Sequence, residues 1–162
     1  LRLYRKPGVA AACLGLQDRL GVDVNLVLFC LWMGANGQTM TPAAMRLAAG
    51  LSRVWTVNVV APLRGVRRFL KPLELPQFRG AVARVELAAE RVEQDVLWRI
   101  APRGMRTARR SRGDARYAAA NLARYIGYWP RGPRAADRKA LGDILQAAFP
   151  AARAAEFSIR LR

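Results

Sequence analysis

Between Leu26 and Met33 every residue is apolar. A helix that is apolar on all sides has to be surrounded by protein or by lipid. A bilayer span takes about 20 such residues, so this run is too short to cross one. It predicts a central helix buried among other helices, with Asp23 as its N-cap, Asn25 close by and Asn36-Gly37 at its end. Upstream, Val9, Cys13, Leu16 and Leu20 recur at helical spacing after Pro7, and Gly21 stops them. Downstream, Thr41-Pro42 is a start signal for a helix running through Met45, Leu47 and Leu51 towards Trp55. Val57 to Val60 has strand-like composition but no partner run, and is read as helical.

Pro62 opens a short amphipathic helix to about Lys71, with Leu63, Val66, Phe69 and Leu70 as its apolar side. Pro72 and Pro76 then break the chain. The longest periodic segment follows, from Gln77 to about Ala101. Its apolar face is expected to be Val82, Val85, Ala89, Val92, Val96 and Ile100, and Pro102 ends it. A helix from about Asp114 to Tyr128 and a last one carrying Leu141, Ile144, Leu145, Ala148 and Phe149 complete the pattern. The fold class is therefore all-α, a helical bundle of about six or seven helices around a buried central helix. Residues 1–162 are expected to form a single helical domain, with an Arg-rich loop over 103–113 and a tail over 151–162 that has no clear pattern.

Charge changes the picture. The 162 residues carry a net charge of +17. Such a balance favours nucleic acid, an anionic surface or an acidic partner. All but three of the 28 basic residues are Arg, the exceptions being Lys6, Lys71 and Lys139, and the chain is also rich in Ala, Gly and Pro. A GC-rich genome would impose the same bias without any selection for binding. Cys13 and Cys30 sit in apolar runs and read as two free, buried thiols of a reducing compartment, which points to the cytoplasm. The chain begins at Leu1 rather than Met, so residues are expected upstream.

Leu3-Tyr4, Val9, Cys13 to Asp18 and, above all, Asp23-Val24-Asn25-Leu26 with Phe29-Cys30-Leu31-Trp32 resemble a proteobacterial family of unknown function. The likeness continues at Val60 to Arg64 with Arg67-Arg68, at Glu86-Leu87, Glu90-Arg91 and Glu93-Gln94, and at Asn121-Leu122 with Tyr125. The Arg-rich loop and the tail lie outside it. The resemblance implies an all-helical bacterial protein and carries no activity with it.

The absence of histidine removes Ser-His-Asp and Cys-His catalysis, His-containing zinc sites and the Glu-x-x-His di-iron motif. There is no Cys-x-x-Cys pair and no Gly-rich phosphate loop. No cofactor or metal is expected, and no catalytic residue is legible. The leading expectation is a binding or interaction protein, with a protein partner foremost. Two alternatives stand beside it: non-specific nucleic-acid binding, or a carboxylate-based enzyme or cation/amine site.

Two charged stripes carry the candidate chemistry. Glu86, Glu90 and Glu93, at i, i+4 and i+7, fall within about 60° of arc on the long helix. On the preceding helix Arg64, Arg67, Arg68 and Lys71 form a basic stripe, expected opposite its apolar side. The two stripes could zip together, or line a polar pocket for a cation, an amine or a phosphate, or remain two solvated faces. Asp23, Asn25, Gln17 and Asp18 are possible contributors to such a pocket. For nucleic acid the candidates are Arg103, Arg106, Arg109, Arg110, Arg112 and Arg116, which could neutralise phosphates but have no interleaved aromatics to stack bases. Tyr117, Asn121, Tyr125 and Tyr128 share one helix side, as an aromatic core stripe with a paired Asn or as an aromatic ligand site.

Overall fold

The computed structural model describes residues 3–102, 114–128 and 132–151. Seven α-helices account for most of these residues: α1 (Val9–Leu20), α2 (Val24–Ala35), α3 (Pro42–Trp55), α4 (Ala61–Phe69), α5 (Pro76–Ile100), α6 (Ala115–Ile126) and α7 (Ala135–Ala148). A π-helical turn, Thr56–Val60, joins α3 to α4, and a 3-10 turn, Lys71–Leu73, leads towards α5. No strand occurs among the described residues.

Local chemistry sets the boundaries. The Asp23 carboxylate accepts the Leu26 N–H at the start of α2, and the Thr41 hydroxyl accepts the Ala44 N–H at the start of α3. Both satisfy amide donors that have no partner within their helix. Gly21, at φ +67°, ends α1 in the left-handed conformation and returns its N–H to the Gln17 carbonyl.

The hydrophobic pattern around Leu26 is realised as the centre of the bundle. Leu26, Val27, Phe29, Cys30, Leu31 and Met33 of α2 are buried, and α1, α3, α5 and α6 all pack on this helix. Fully burying each larger apolar side chain contributes about 1.5–3 kcal/mol, which makes α2 the natural anchor. The closest approach is to α6. A Cβ on Gly34 would lie 2.3 Å from the Ala118 nitrogen, so only glycine fits there. Val9, Cys13 and Leu16 of α1 and Leu141, Ile144 and Leu145 of α7 join the same core, and α1 packs on α7. Cys13 and Cys30 are free and buried.

Around α3, α4 and α5 the helices are turned differently from the sequence reading. Of the apolar residues that mark α3 in the sequence, Met45 is buried with Ala48 and Ser52, whereas Leu47 and Leu51 are exposed. Of the expected apolar side of α4, Leu70 is buried but Val66 and Phe69 are exposed, and Arg64 and Arg67 take the inner seam. On α5, Ala89 of the expected face is buried and Val82, Val96 and Ile100 are half-buried, but Val85 and Val92 are exposed, and Glu86, Glu93 and Leu97 are buried instead. The glutamates face inward because the facing elements supply guanidinium, hydroxyl and amide donors for them, and a buried charge is tolerated when it is paired and hydrogen-bonded. Ala89 leaves room for Trp55, whose indole N–H donates to the Ala89 carbonyl at 2.9 Å.

On α6 only the middle of the aromatic stripe is internal. Asn121 and Tyr125 are buried, whereas Tyr117 and Tyr128 are exposed. Asn121 accepts the Met40 N–H at 2.7 Å and donates to the Gln38 and Cys30 carbonyls, which pins the α2–α3 connection to α6.

Candidate functional site

Antiparallel α4 and α5 meet along an ion-pair seam. Arg64 donates to Glu86 at 2.9 Å and to Glu90 at 3.1 Å, and Arg67 donates to both oxygens of Glu86. Burial pushes the Glu86 carboxyl upward, but the hydrogen bonds from Arg67 and Arg64 outweigh it and hold the group below its ordinary value. Glu90 has less help. Burial outweighs Arg64 and raises its carboxyl.

Glu93 lies one helical turn further along α5 and has no arginine partner among the described residues. The Ser52 hydroxyl donates to one of its oxygens and the Asn25 amide to the other, at 2.7 Å. Gln94 in turn donates to the Asn25 carbonyl oxygen at 2.8 Å. Burial, followed by the nearby Asp23 carboxylate, pushes the Glu93 carboxyl up to about 7. Asp23 itself accepts the Thr56 hydroxyl at 2.6 Å, and its backbone N–H donates to the Tyr125 hydroxyl at 2.8 Å. Thr56 opens the π-helical turn, and such turns recur at functional sites because they shift side chains off the α-helical register.

These groups surround a partly open cavity of about 150 Å³ between α1, the start of α2, the π-helical turn, α4 and α5. Asp23, Asn25, Thr56, Glu93 and Gln94 line one part of it, Tyr4, Gln17, Arg64, Glu90 and Arg91 another, and apolar side chains including Leu28, Val60 and Leu87 complete the wall. Among the described residues, no group of three or more acidic or thiol side chains is arranged to hold a metal ion.

The candidate stripes are therefore divided among three places. Arg64, Glu90, Glu93, Asp23 and Asn25 meet at the cavity, and Glu86 and Arg67 form the seam beside it. Arg68 and Lys71 are exposed and do not line it. Gln17 lines the cavity, whereas Asp18 is exposed. Ser52, Thr56 and Gln94 were not singled out as site residues. Ser52 and Thr56 are four residues apart at the end of a helical run, and Gln94 follows the glutamate stripe, but such spacing does not show which side of a helix meets which neighbour. Of the nucleic-acid candidates, Arg103, Arg106, Arg109, Arg110 and Arg112 lie outside the described residues, and Arg116 forms an ion pair with Asp114 at 2.7 Å.

Fold and cavity together define an all-α bundle with a partly buried polar network beside its apolar core. The chain belongs to a family described as protein of unknown function (DUF2390), whose model matches residues 1–97, from α1 through most of α5. No curated protein and no solved structure matches the chain.

Proposed function

We propose that this chain is a binding protein whose cavity takes a protonated amine, with Asp23, Glu90 and Glu93 as acceptors. The observation that carries the reading is Glu93, a carboxyl buried next to the Asp23 carboxylate and raised to about 7. Two adjacent carboxyls hold a proton between them because both cannot ionise cheaply in a poorly solvated place. An ammonium group replaces that proton with a full positive charge and several N–H donors. Asn25, Thr56 and Gln94 hold the carboxyls in place, which keeps the cost of arranging them low. The residues on which the family resemblance rests include Tyr4, Gln17, Asp23, Asn25, Arg64, Glu90, Glu93 and Gln94, and all of them line this one cavity. The same chemistry admits the lysine side chain of a protein partner.

The test is calorimetry with ethanolamine, putrescine and a lysine-containing peptide, each in two buffers of different ionisation heat. Binding near pH 7 should release about half a proton per complex, because Glu93 is half protonated there. Glu93→Gln should abolish binding while the protein stays folded. Absence of binding by all three probes, or binding unchanged in Glu93→Gln, would overturn the reading.

A further inference from the structure

The corner between α4 and α5 places apolar residues on the outside. Within ten residues Phe69 is 70% exposed, Leu73 47%, Leu75 48% and Phe78 58%. This arises from the seam described above: Arg64 and Arg67 turn inward to the glutamates, so Val66 and Phe69 turn away from the bundle while Leu70 stays buried. The corner is also cationic. Arg68 and Lys71 are exposed beside the phenylalanines, and Glu74 is the only acidic residue between Phe69 and Phe78.

A second observation comes from Arg79, one turn into α5. Its Nε is the single buried side-chain polar atom among the described residues with no hydrogen-bond partner. It borders an open hollow of about 370 Å³ lined also by Arg67, Pro76 and Gly80 and by Glu86 and Glu90, whose carboxylates are already paired with Arg64 and Arg67. A buried N–H donor without an acceptor is costly, and a phosphate oxygen entering this hollow would satisfy it with a charge-assisted bond.

We propose that this corner docks on an anionic bilayer, with Phe69, Leu73, Leu75 and Phe78 entering the headgroup–acyl boundary and Arg68, Lys71 and Arg79 taking lipid phosphates. Exposed apolar side chains ringed by basic ones are what an interfacial membrane contact requires. A second copy of the chain fits poorly, because pairing this corner with itself brings Arg68, Lys71 and Arg79 against their own counterparts. The contact is peripheral: among the described residues no helix is long and apolar enough to cross a membrane.

Vesicle co-sedimentation tests this, with pure phosphatidylcholine against an equal mixture with phosphatidylglycerol. The protein should bind the mixed vesicles alone, and raised salt should weaken the binding. Phe69→Ser combined with Phe78→Ser should reduce the partition by about tenfold or more at unchanged melting temperature. Arg79→Gln should reduce it severalfold. A Leu73→Cys variant, labelled at its only exposed thiol with a polarity-sensitive dye, should shift to the blue on the mixed vesicles. No binding to mixed vesicles, binding unaffected by the double serine change, or an unshifted dye would each overturn the proposal. The second outcome would assign binding to the net charge elsewhere on the chain. Dimerisation through the labelled site, or capture of a protein at that site without vesicle binding, would replace the bilayer with another occupant. The cavity reading is independent of all these outcomes, since none of the substituted residues lines it.

Discussion

Replacing Glu93 by Gln should make the protein more stable at pH 8 and leave it nearly unchanged at pH 5. The wild-type carboxyl moves from an ordinary value of 4.5 to about 7 on folding. Between those values the folded state holds more protons than the unfolded state, so stability falls as pH rises and has reached its lower plateau above about pH 8. Each tenfold change in acidity is worth about 1.4 kcal/mol, which gives roughly 3 kcal/mol over the whole interval. The cavity mouth admits water, and solvent screening reduces the figure to about 2 kcal/mol. Gln is the neutral counterpart of the protonated acid. Its oxygen can keep the Asn25 amide and its nitrogen can donate to the Ser52 hydroxyl, once that hydroxyl rotates. The assay is thermal melting of wild type and Glu93→Gln from pH 5 to 8. A gain of about 2 kcal/mol corresponds to roughly 4–8 °C at the alkaline end for a chain of this size. Parallel pH profiles for the two proteins would refute the reasoning, because Glu93 would then bind the same protons folded and unfolded.

Three other perturbations address the frame around the cavity. Gly34→Ala should destabilise the bundle by about 3 kcal/mol, or prevent folding, since its Cβ meets the Ala118 backbone; urea unfolding measures the loss. Arg64→Ala should cost about 2–3 kcal/mol by leaving Glu86 with Arg67 alone and Glu90 without its guanidinium. In a double-mutant cycle with Glu86→Ala, strict additivity would show that the pair is not coupled. Burial pushes the Cys13 thiol up to about 11 and raises the Cys30 thiol further, so neither should react with a thiol-exchange reagent at pH 8 until urea opens the core. Prompt reaction of either thiol in the folded protein would contradict its placement.

Much of the chain is readable one residue at a time. Asp23, Thr41 and Asp114 are cap residues by type, and each accepts a backbone N–H at a helix start. The all-apolar run of α2 has only one soluble solution, a place at the centre, and it lies there. Boundaries at Gly21, Asn36-Gly37 and Pro102 follow from glycine's left-handed freedom and proline's missing donor. The glutamate stripe was also visible, because its spacing is a property of the helix alone.

The side of a helix that faces inward is a different kind of fact. On α5 the periodicity makes a sound apolar face that includes Val82, Val85, Ala89, Val92 and Val96, yet Val85 and Val92 are exposed, and the bundle buries Glu86 and Glu93 of the neighbouring stripe along with Ala89. Periodicity weighs each residue as though water or oil were its only alternatives. Arg64, Arg67, Ser52 and Asn25 offer a third, a set of donors from other helices, and these reverse the preference. The sequence by itself determined the helices, their ends and the central position of α2, since these depend on neighbours along the chain. The tertiary structure alone decided the rotation of α3, α4 and α5, the meeting of Asp23 with Glu93 and the exposure of Phe69 and Phe78. Those outcomes depend on charges and donors brought together from residues far apart in sequence.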